Sequence, residues 1–358
     1  MDHSKVAEIE HGLTENALMF LSRSVGAMQN DPDGADATEN FTITQDVVFA
    51  IVDLAVAIEV LLKARIVRED WTLVCAKSAR NKLSEQQLEA LFLSGGAKTI
   101  FPQDAINLLD SDYNVGLKVG GHDMRVRHVG ELRNRAVHFT LNHGTLPIGV
   151  QAAYGSGLDF VLWFLRTEFF GSAGGEIENL IDSVMAEIAD RLSEIEVVVK
   201  ERMASITDEL DDAEECLECP RCHQGTLMCF EEEPVRCAFC LWDPIDGVAA
   251  ALEYVHNVKE LDEYTELTSG GEWPIGECVY CSELALVAGV VSQRELPTDA
   301  GALNCDGRIR PYWACFSCGR TAGFTEIEQC THCEAPTTTG DGGIPICGDC
   351  FANVLESD

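Results

Sequence analysis

The sequence predicts a mainly α-helical bundle over residues 1–206, followed by small β-ribbon modules held together by metal. Three observations carry this. Apolar residues recur at three- and four-residue spacing through the first half of the chain, with little of the strict alternation that marks strands. Fifteen of the sixteen cysteines fall after residue 215, and twelve of them form six Cys-x-x-Cys pairs, the spacing of metal knuckles rather than of a secreted disulfide framework. Between these regions lies the acidic run Asp208 to Glu215, which reads as a solvated linker over 207–215.

The helices follow from their apolar stripes and breakers. The first spans about Ser4 to Met28, with Val6, Ile9, Leu13, Ala17, Phe20 and Leu21 on one stripe, and stops at Asn30-Asp31-Pro32-Asp33-Gly34. The second runs from near Gln45 to about Arg68 and is apolar enough to be the central core helix. Shorter helices are expected at Ser84 to Leu93 and Pro102 to Leu109, separated by Gly95-Gly96. Two long helices follow, Met124 to Leu141 and Val150 to Phe170. After the break at Gly171 to Gly175, a last amphipathic helix is expected from Glu176 to Ile206.

Length and charge bound the function classes. At 358 residues the chain is long enough for several domains. Val47 to Leu62 is the longest apolar stretch, but Asp53 and Glu59 interrupt it, and it is short for a bilayer. No basic segment followed by an apolar one marks a secretory leader at the start. The expectation is a cytoplasmic protein with no membrane partner.

The formal charge of −35 opposes nonspecific attraction to DNA. The charge is uneven: Lys63 to Arg135 holds twelve Lys or Arg against nine acids, whereas Met203 to the end holds seven against thirty. A nucleic acid is therefore expected to meet the N-terminal half.

Cys219, Cys222, Cys237 and Cys240 form two knuckles separated by fourteen residues, the pattern of a zinc ribbon over 216–245. Residues 246–272 read as a helical connector, with a helix at Gly247 to Leu267. Two further modules are expected over 273–358, from Cys278, Cys281, Cys315, Cys318, Cys330, Cys333, Cys347 and Cys350. Sequential pairing is favoured because the last two knuckles are thirteen residues apart, a ribbon spacing, although a cross-brace uses the same residues. Cys216 also forms a Cys-x-x-Cys with Cys219 and stays open as an alternative ligand. Three structural zinc ions result. Four thiolates leave no open position for water or substrate, so catalysis at these sites is not expected, and a protein partner is.

The chain also carries Arg133-Asn134-Arg135-Ala136-Val137-His138 on its third long helix, and Ala57-Ile58-Glu59-Val60-Leu61-Leu62-Lys63-Ala64 followed by Trp71. In these features residues 1–206 resemble the HEPN family, whose ribonuclease members carry an Arg, four to six residues and a His, with a polar residue often after the Arg. The resemblance implies a HEPN-like helical bundle, Arg133, Asn134 and His138 as catalytic residues, RNA as substrate, a homodimer or higher oligomer, and a role in bacterial toxin-antitoxin or antiviral defence. No cofactor is implied for the chemistry. At 100° per residue Asn134 and His138 share a helix face, while Arg133 lies about 140° from His138 and must reach with its long side chain.

Lys118, Arg125, Arg127 and Arg135 are candidates for steering RNA toward the site. The histidines at 122, 128, 138 and 143 match no metal spacing, and Cys75 reads as a small buried hydrophobe. Two functions therefore stand at this point. One is an RNA endonuclease whose zinc ribbons regulate it or dock a partner. The other is a non-catalytic adaptor that dimerises through its helices and recruits proteins through its zinc modules.

Overall fold

The structure is a computed structural model that describes residues 3–30, 43–138, 147–172, 174–294, 312–323, 326–338 and 344–356. It divides into two compact units, Met1–Ser205 and Ile206–Asp358. No helix among the described residues is long and apolar enough to cross a membrane.

Among the described residues the first unit is mainly helical: α1 (His3–Asn30), α2 (Gln45–Asp70), α3 (Lys77–Arg80), α4 (Glu85–Leu93), α5 (Pro102–Tyr113), α6 (His122–His138), α7 (Pro147–Glu168), α8 (Gly175–Glu194) and α9 (Glu196–Ser205). Helix α2 is central. Val47, Ala50, Ile51, Leu54, Ala57, Ile58, Leu61 and Leu62 are all buried, so it is covered by α1, α5, α6 and α7 on several sides. Its start is fixed by Thr44, whose hydroxyl accepts from the Val47 amide. The charges that interrupt its apolar run have partners: Asp53, pushed up by burial, meets Arg23 at 3.3 Å, and Glu59 meets Lys63 at 2.5 Å.

Local chemistry sets the other ends. Ser84 and Gln87 form a reciprocal capping box at the start of α4. Pro102 opens α5, and Asn114 closes it in the left-handed region at φ 53°, so that its last residue, Tyr113, lies four residues beyond the end expected from the stripe. The single helix expected over 176–206 is two. Ile195 leaves helical geometry at φ −89°, ψ 97° and is fully buried, so its side chain enters the core while the axis changes and α9 packs on α7. The end of the third long helix beyond His138 lies outside the described residues, as does His143.

The second unit begins with α10 (Thr207–Asp212) and β1 (Glu215–Leu217). The acidic run expected to be a solvated linker is therefore ordered chain. Arg294 stabilises it by donating to the Leu210 and Asp211 carbonyls at 2.9 Å, at the helix end where the macrodipole favours a cation.

Strands β1, β2 (Leu227–Cys229) and β3 (Arg236–Cys237) form an antiparallel sheet. The helix expected over 247–267 is two, α11 (Gly247–Asn257) and α12 (Glu263–Ser269). Asp262 caps the second by accepting from the Thr265 amide. Strands β4 (Ile275–Gly276), β5 (Leu286–Val290), β6 (Tyr312–Cys315) and β7 (Thr321–Ala322) make a second sheet. The hairpin β8 (Ile327–Gln329) and β9 (Pro336–Thr338), then α13 (Gly348–Glu356), complete the unit.

Candidate functional site

Four thiols come together at three places: Cys219, Cys222, Cys237 and Cys240; Cys278, Cys281, Cys315 and Cys318; and Cys330, Cys333, Cys347 and Cys350. Pairing is sequential, and the cross-brace is not formed. A tetrahedral ion with metal–sulfur bonds of about 2.3 Å requires S···S edges of about 3.8 Å. The observed separations are 3.7 Å for Cys219 and Cys240, 3.8 Å for Cys222 and Cys237, 3.9 Å for Cys278 and Cys318, 3.7 Å for Cys281 and Cys315, and 3.5 Å for Cys333 and Cys347. They fit a shared ion and are far from a disulfide bond.

The knuckles are held by backbone geometry. After the second cysteine of five pairs, His223, Leu241, Ser282, Gly319 and Glu334 take φ between 54° and 65°, which folds the backbone around the sulfurs. Only one of the five is glycine. A Cβ at Gly319 would lie 2.0 Å from the Phe230 carbonyl, so that position also needs glycine for space. Amides of Tyr280 and Cys347 donate to the sulfurs of Cys278 and Cys330 at 3.4 and 3.3 Å, stabilising thiolate charge.

Exposure differs among the sites. All four cysteines of the first are buried, whereas in the third only Cys330 is buried and Cys333 is exposed. Cys216 lies outside the first group, its sulfur against the Leu210 carbonyl at 3.8 Å, so it is not the alternative ligand. Cys229 and Cys75 are fully buried, and burial pushes the Cys75 thiol up. Cys305 lies outside the described residues.

In the helical unit, Arg133 and Asn134 line a groove of about 500 Å³ between α2, α5 and α6. Ala55, Val56 and Ile106 give it apolar walls, and Glu59, Gln103, Arg127 and Glu131 add polar groups. Arg133 Nη1 donates to Asn134 Oδ1 at 3.1 Å. Neither Arg133 nor Arg127 has a carboxylate within ion-pair distance among the described residues, whereas Lys63, Arg65, Arg68, Arg125 and Arg202 each have one. His138 is the last residue of α6, one turn beyond Asn134 on the same face. It is exposed and does not line the groove. One helix thus brings Arg133 and Asn134 together and leaves His138 outside at its end.

The other cations grouped with these by sequence divide. Arg125 is bound to Asp159, a carboxylate only 1% exposed that also accepts from Arg202 at 3.1 Å and Ser205 at 2.5 Å, so it is a packing element. Arg135 lines a second depression with His128, Glu131 and Glu201. His122 is buried with its ring stacked on Trp163 at 3.7 Å. Burial first, then Arg125, hold its pKa down to about 4.

The groove residues that sequence reading missed are Phe101, Gln103 and Val56. The signal for Phe101 was an aromatic at an N-cap position, immediately before Pro102, where a hydroxyl or carboxamide would serve the helix better. No protein-family model matches the chain, and comparison with curated proteins and with solved structures finds no match either.

Proposed function

We propose that the helical unit is an endoribonuclease of the HEPN type, cleaving RNA by attack of a 2′-hydroxyl on the adjacent phosphorus. The observation that carries this reading is the groove, where Arg133 and Asn134 stand side by side with no carboxylate within ion-pair distance of the guanidinium among the described residues. A guanidinium without an internal counter-ion is matched to an oxyanion, and its fork suits the scissile phosphate. His138 carries an imidazole, a side chain able both to accept and to donate a proton. It takes the 2′-OH proton as the new P–O bond forms and returns one to the 5′-oxygen as the old bond breaks. The products are a 2′,3′-cyclic phosphate and a 5′-hydroxyl. Because His138 lies beyond the groove, the reading includes a second copy of the chain whose α6 completes the cleft.

The reading extends to the second unit and the cell. The three four-cysteine sites hold structural zinc, a soft-to-borderline ion suited to tetrahedral sulfur. They fold segments too small to make cores of their own and serve as a regulatory or partner-docking arm. The protein acts in the cytoplasm, in toxin-antitoxin or antiviral defence, as a homodimer or higher oligomer.

The test is incubation of the purified full chain with mixed RNA in buffer free of added metal, alongside His138→Ala and Arg133→Ala. Loss of the general acid–base is expected to cost about 10²–10⁴ in rate, and loss of the phosphate-binding arginine about 10²–10³. Cleavage that persists undiminished in His138→Ala refutes the catalytic assignment. No cleavage by any form, including an isolated fragment of residues 1–206, favours the adaptor reading.

A further inference from the structure

We infer that the groove beside Arg133 is a subsite for one unpaired nucleobase of single-stranded RNA, with the ring of Phe101 as its stacking platform. The inference rests on the ribonuclease reading above and names the part of the substrate it engages.

Phe101 is 67% exposed, although it is a large apolar side chain at the edge of a packed bundle. Its position is the N-cap of α5, where it makes no side-chain hydrogen bond to the helix. Ser, Asp, Asn or Thr would stabilise the helix there. A residue that breaks a local rule and also exposes apolar surface points to a ligand. Phe101 opens onto the groove, whose wall continues through Val56, Ala55 and Ile106, so an apolar surface stands on more than one side.

A flat apolar ligand that also carries hydrogen-bonding edges matches this lining. Gln103 offers an amide, able both to donate and to accept. Glu59 offers a carboxylate whose Oε1 is held by Lys63 at 2.5 Å, leaving its other oxygen to accept from a ring N–H or amino group. Two guanidiniums suit a nucleotide's phosphate: Arg127 and Arg133 line the same groove as Glu59 and Glu131, and neither arginine has a carboxylate partner among the described residues. Aliphatic ligands would leave the arginines unmatched, and an inorganic anion would leave the apolar walls unmatched. In a duplex the base faces are stacked and the edges paired, so only a splayed base can enter.

Stacking on an aromatic side chain is sequence-tolerant and salt-independent, whereas the arginine contacts are salt-dependent. The two contributions therefore separate experimentally. The probe is a fluorescein-labelled unstructured RNA 12-mer, and the same sequence as a blunt duplex, titrated by anisotropy against full-length His138→Ala protein so that the RNA stays intact. Phe101→Ala in that background is expected to weaken single-strand binding about tenfold, within the range for one base–aromatic stack, and to leave duplex binding unchanged. Phe101→Trp is expected to restore it. Arg127→Ala is expected to lower the slope of log affinity against log salt by about 0.7, the value for one phosphate contact on a single strand.

Phe101→Ala binding as tightly as the parent overturns the subsite, as does Phe101→Leu binding like the parent, because an aliphatic side chain cannot stack. Equal affinity for duplex and single strand also overturns it. Circular dichroism on each variant separates a lost stack from a lost helix, and Phe101→Trp rescue does so independently. Cleavage that survives His138→Ala removes the catalytic assignment of His138 while the Phe101 dependence of binding still decides the subsite. Cleavage that needs His138, with RNA affinity and KM indifferent to Phe101, removes the subsite alone. A chain that binds neither RNA overturns both.

Discussion

Asp159→Ala tests whether the carboxylate at the centre of the helical unit holds it together. Asp159 lies on α7 and is 1% exposed. It accepts from Arg125 on α6, and from Arg202 at 3.1 Å and Ser205 at 2.5 Å on α9. Truncation removes the Asp159 carboxylate from the guanidinium of Arg202, itself 4% exposed. Removing one partner of such a pair costs about 3–5 kcal/mol, because desolvation of the remaining ion is no longer offset. Against a total stability of about 5–15 kcal/mol this is a large share. For a unit of roughly 200 residues, about 2–4 °C is lost per kcal/mol, so the melting temperature read at 222 nm should fall by about 6–20 °C. The companion double variant Asp159→Leu with Arg202→Met should recover part of the loss, since it removes the most deeply buried ion together with Asp159 and leaves only the part-exposed Arg125 and Ser205 without that acceptor. A fall of under 2 °C for Asp159→Ala, or no recovery in the double variant, refutes the reasoning.

Three further outcomes follow from the structure. Zinc analysis should give three ions per chain, Cys237→Ser should leave two, and a chromogenic chelator should strip the partly exposed third site first and the buried first site last; a single-phase release would contradict that order. His122 binds its proton with a pKa of about 4 in the fold, below the ordinary 6.5, so its contribution to stability is complete above pH 6.5 and is lost as the pH falls toward 4. The melting temperature of His122→Phe, which keeps an aromatic ring against Trp163, should therefore decline less steeply than wild type between those values, and parallel slopes would remove the assignment. At Gly157 a Cβ would stand 2.5 Å from Val129 and 3.1 Å from Leu54. Gly157→Ala should thus cost about 1–3 kcal/mol by overpacking the contact of α7 with α6 and α2, measured by urea denaturation.

The four-cysteine sites were legible because their chemistry is local. Each knuckle needs two cysteines three positions apart, and the pairs at 219, 237, 278, 315, 330 and 347 state this directly. What the spacing did not carry was the left-handed backbone after the knuckles. At Gly319 the residue type suggests it, but at Leu241 and Glu334 nothing does, since the geometry of the cysteine knuckle overrides intrinsic preference there. Helix existence was legible from the stripes, and helix breaks were not. Ile195 fits the stripe that it interrupts, because burial of a β-branched side chain satisfies either conformation. The groove was half legible: Arg133 and Asn134 are adjacent in sequence, but Glu59 and Phe101 reach them only through packing of α2 and α5 on α6. Arg125 was grouped with RNA-steering cations because its buried partner Asp159 lies 34 residues away.

The distribution of cations carries the separation of roles between the two units. In the second unit the described cations have structural partners. Arg221 lies over Trp242 and pairs with Glu253 at 2.7 Å, Arg236 lies over Phe230 and pairs with Glu233, and Arg320 lies over Tyr280 and pairs with Glu231. Arg294 is held by the carbonyls at the end of α10, and Lys259 by the Gly289 carbonyl at 3.0 Å. Each contact stabilises a small sheet or hairpin through stacking and charge together, and each occupies a guanidinium or ammonium that a phosphate would need. A dication held by four thiolates would leave each four-cysteine site about −2 in charge, so bound metal would not restore attraction for an anion. A polyanion is thereby disfavoured on this unit twice, by net charge and by prior commitment of its cations. A basic or apolar protein surface is not. In the helical unit, Arg127 and Arg133 line a groove without carboxylate partners among the described residues. That contrast supports the proposal that RNA meets the helical unit and that protein contacts fall to the four-cysteine modules.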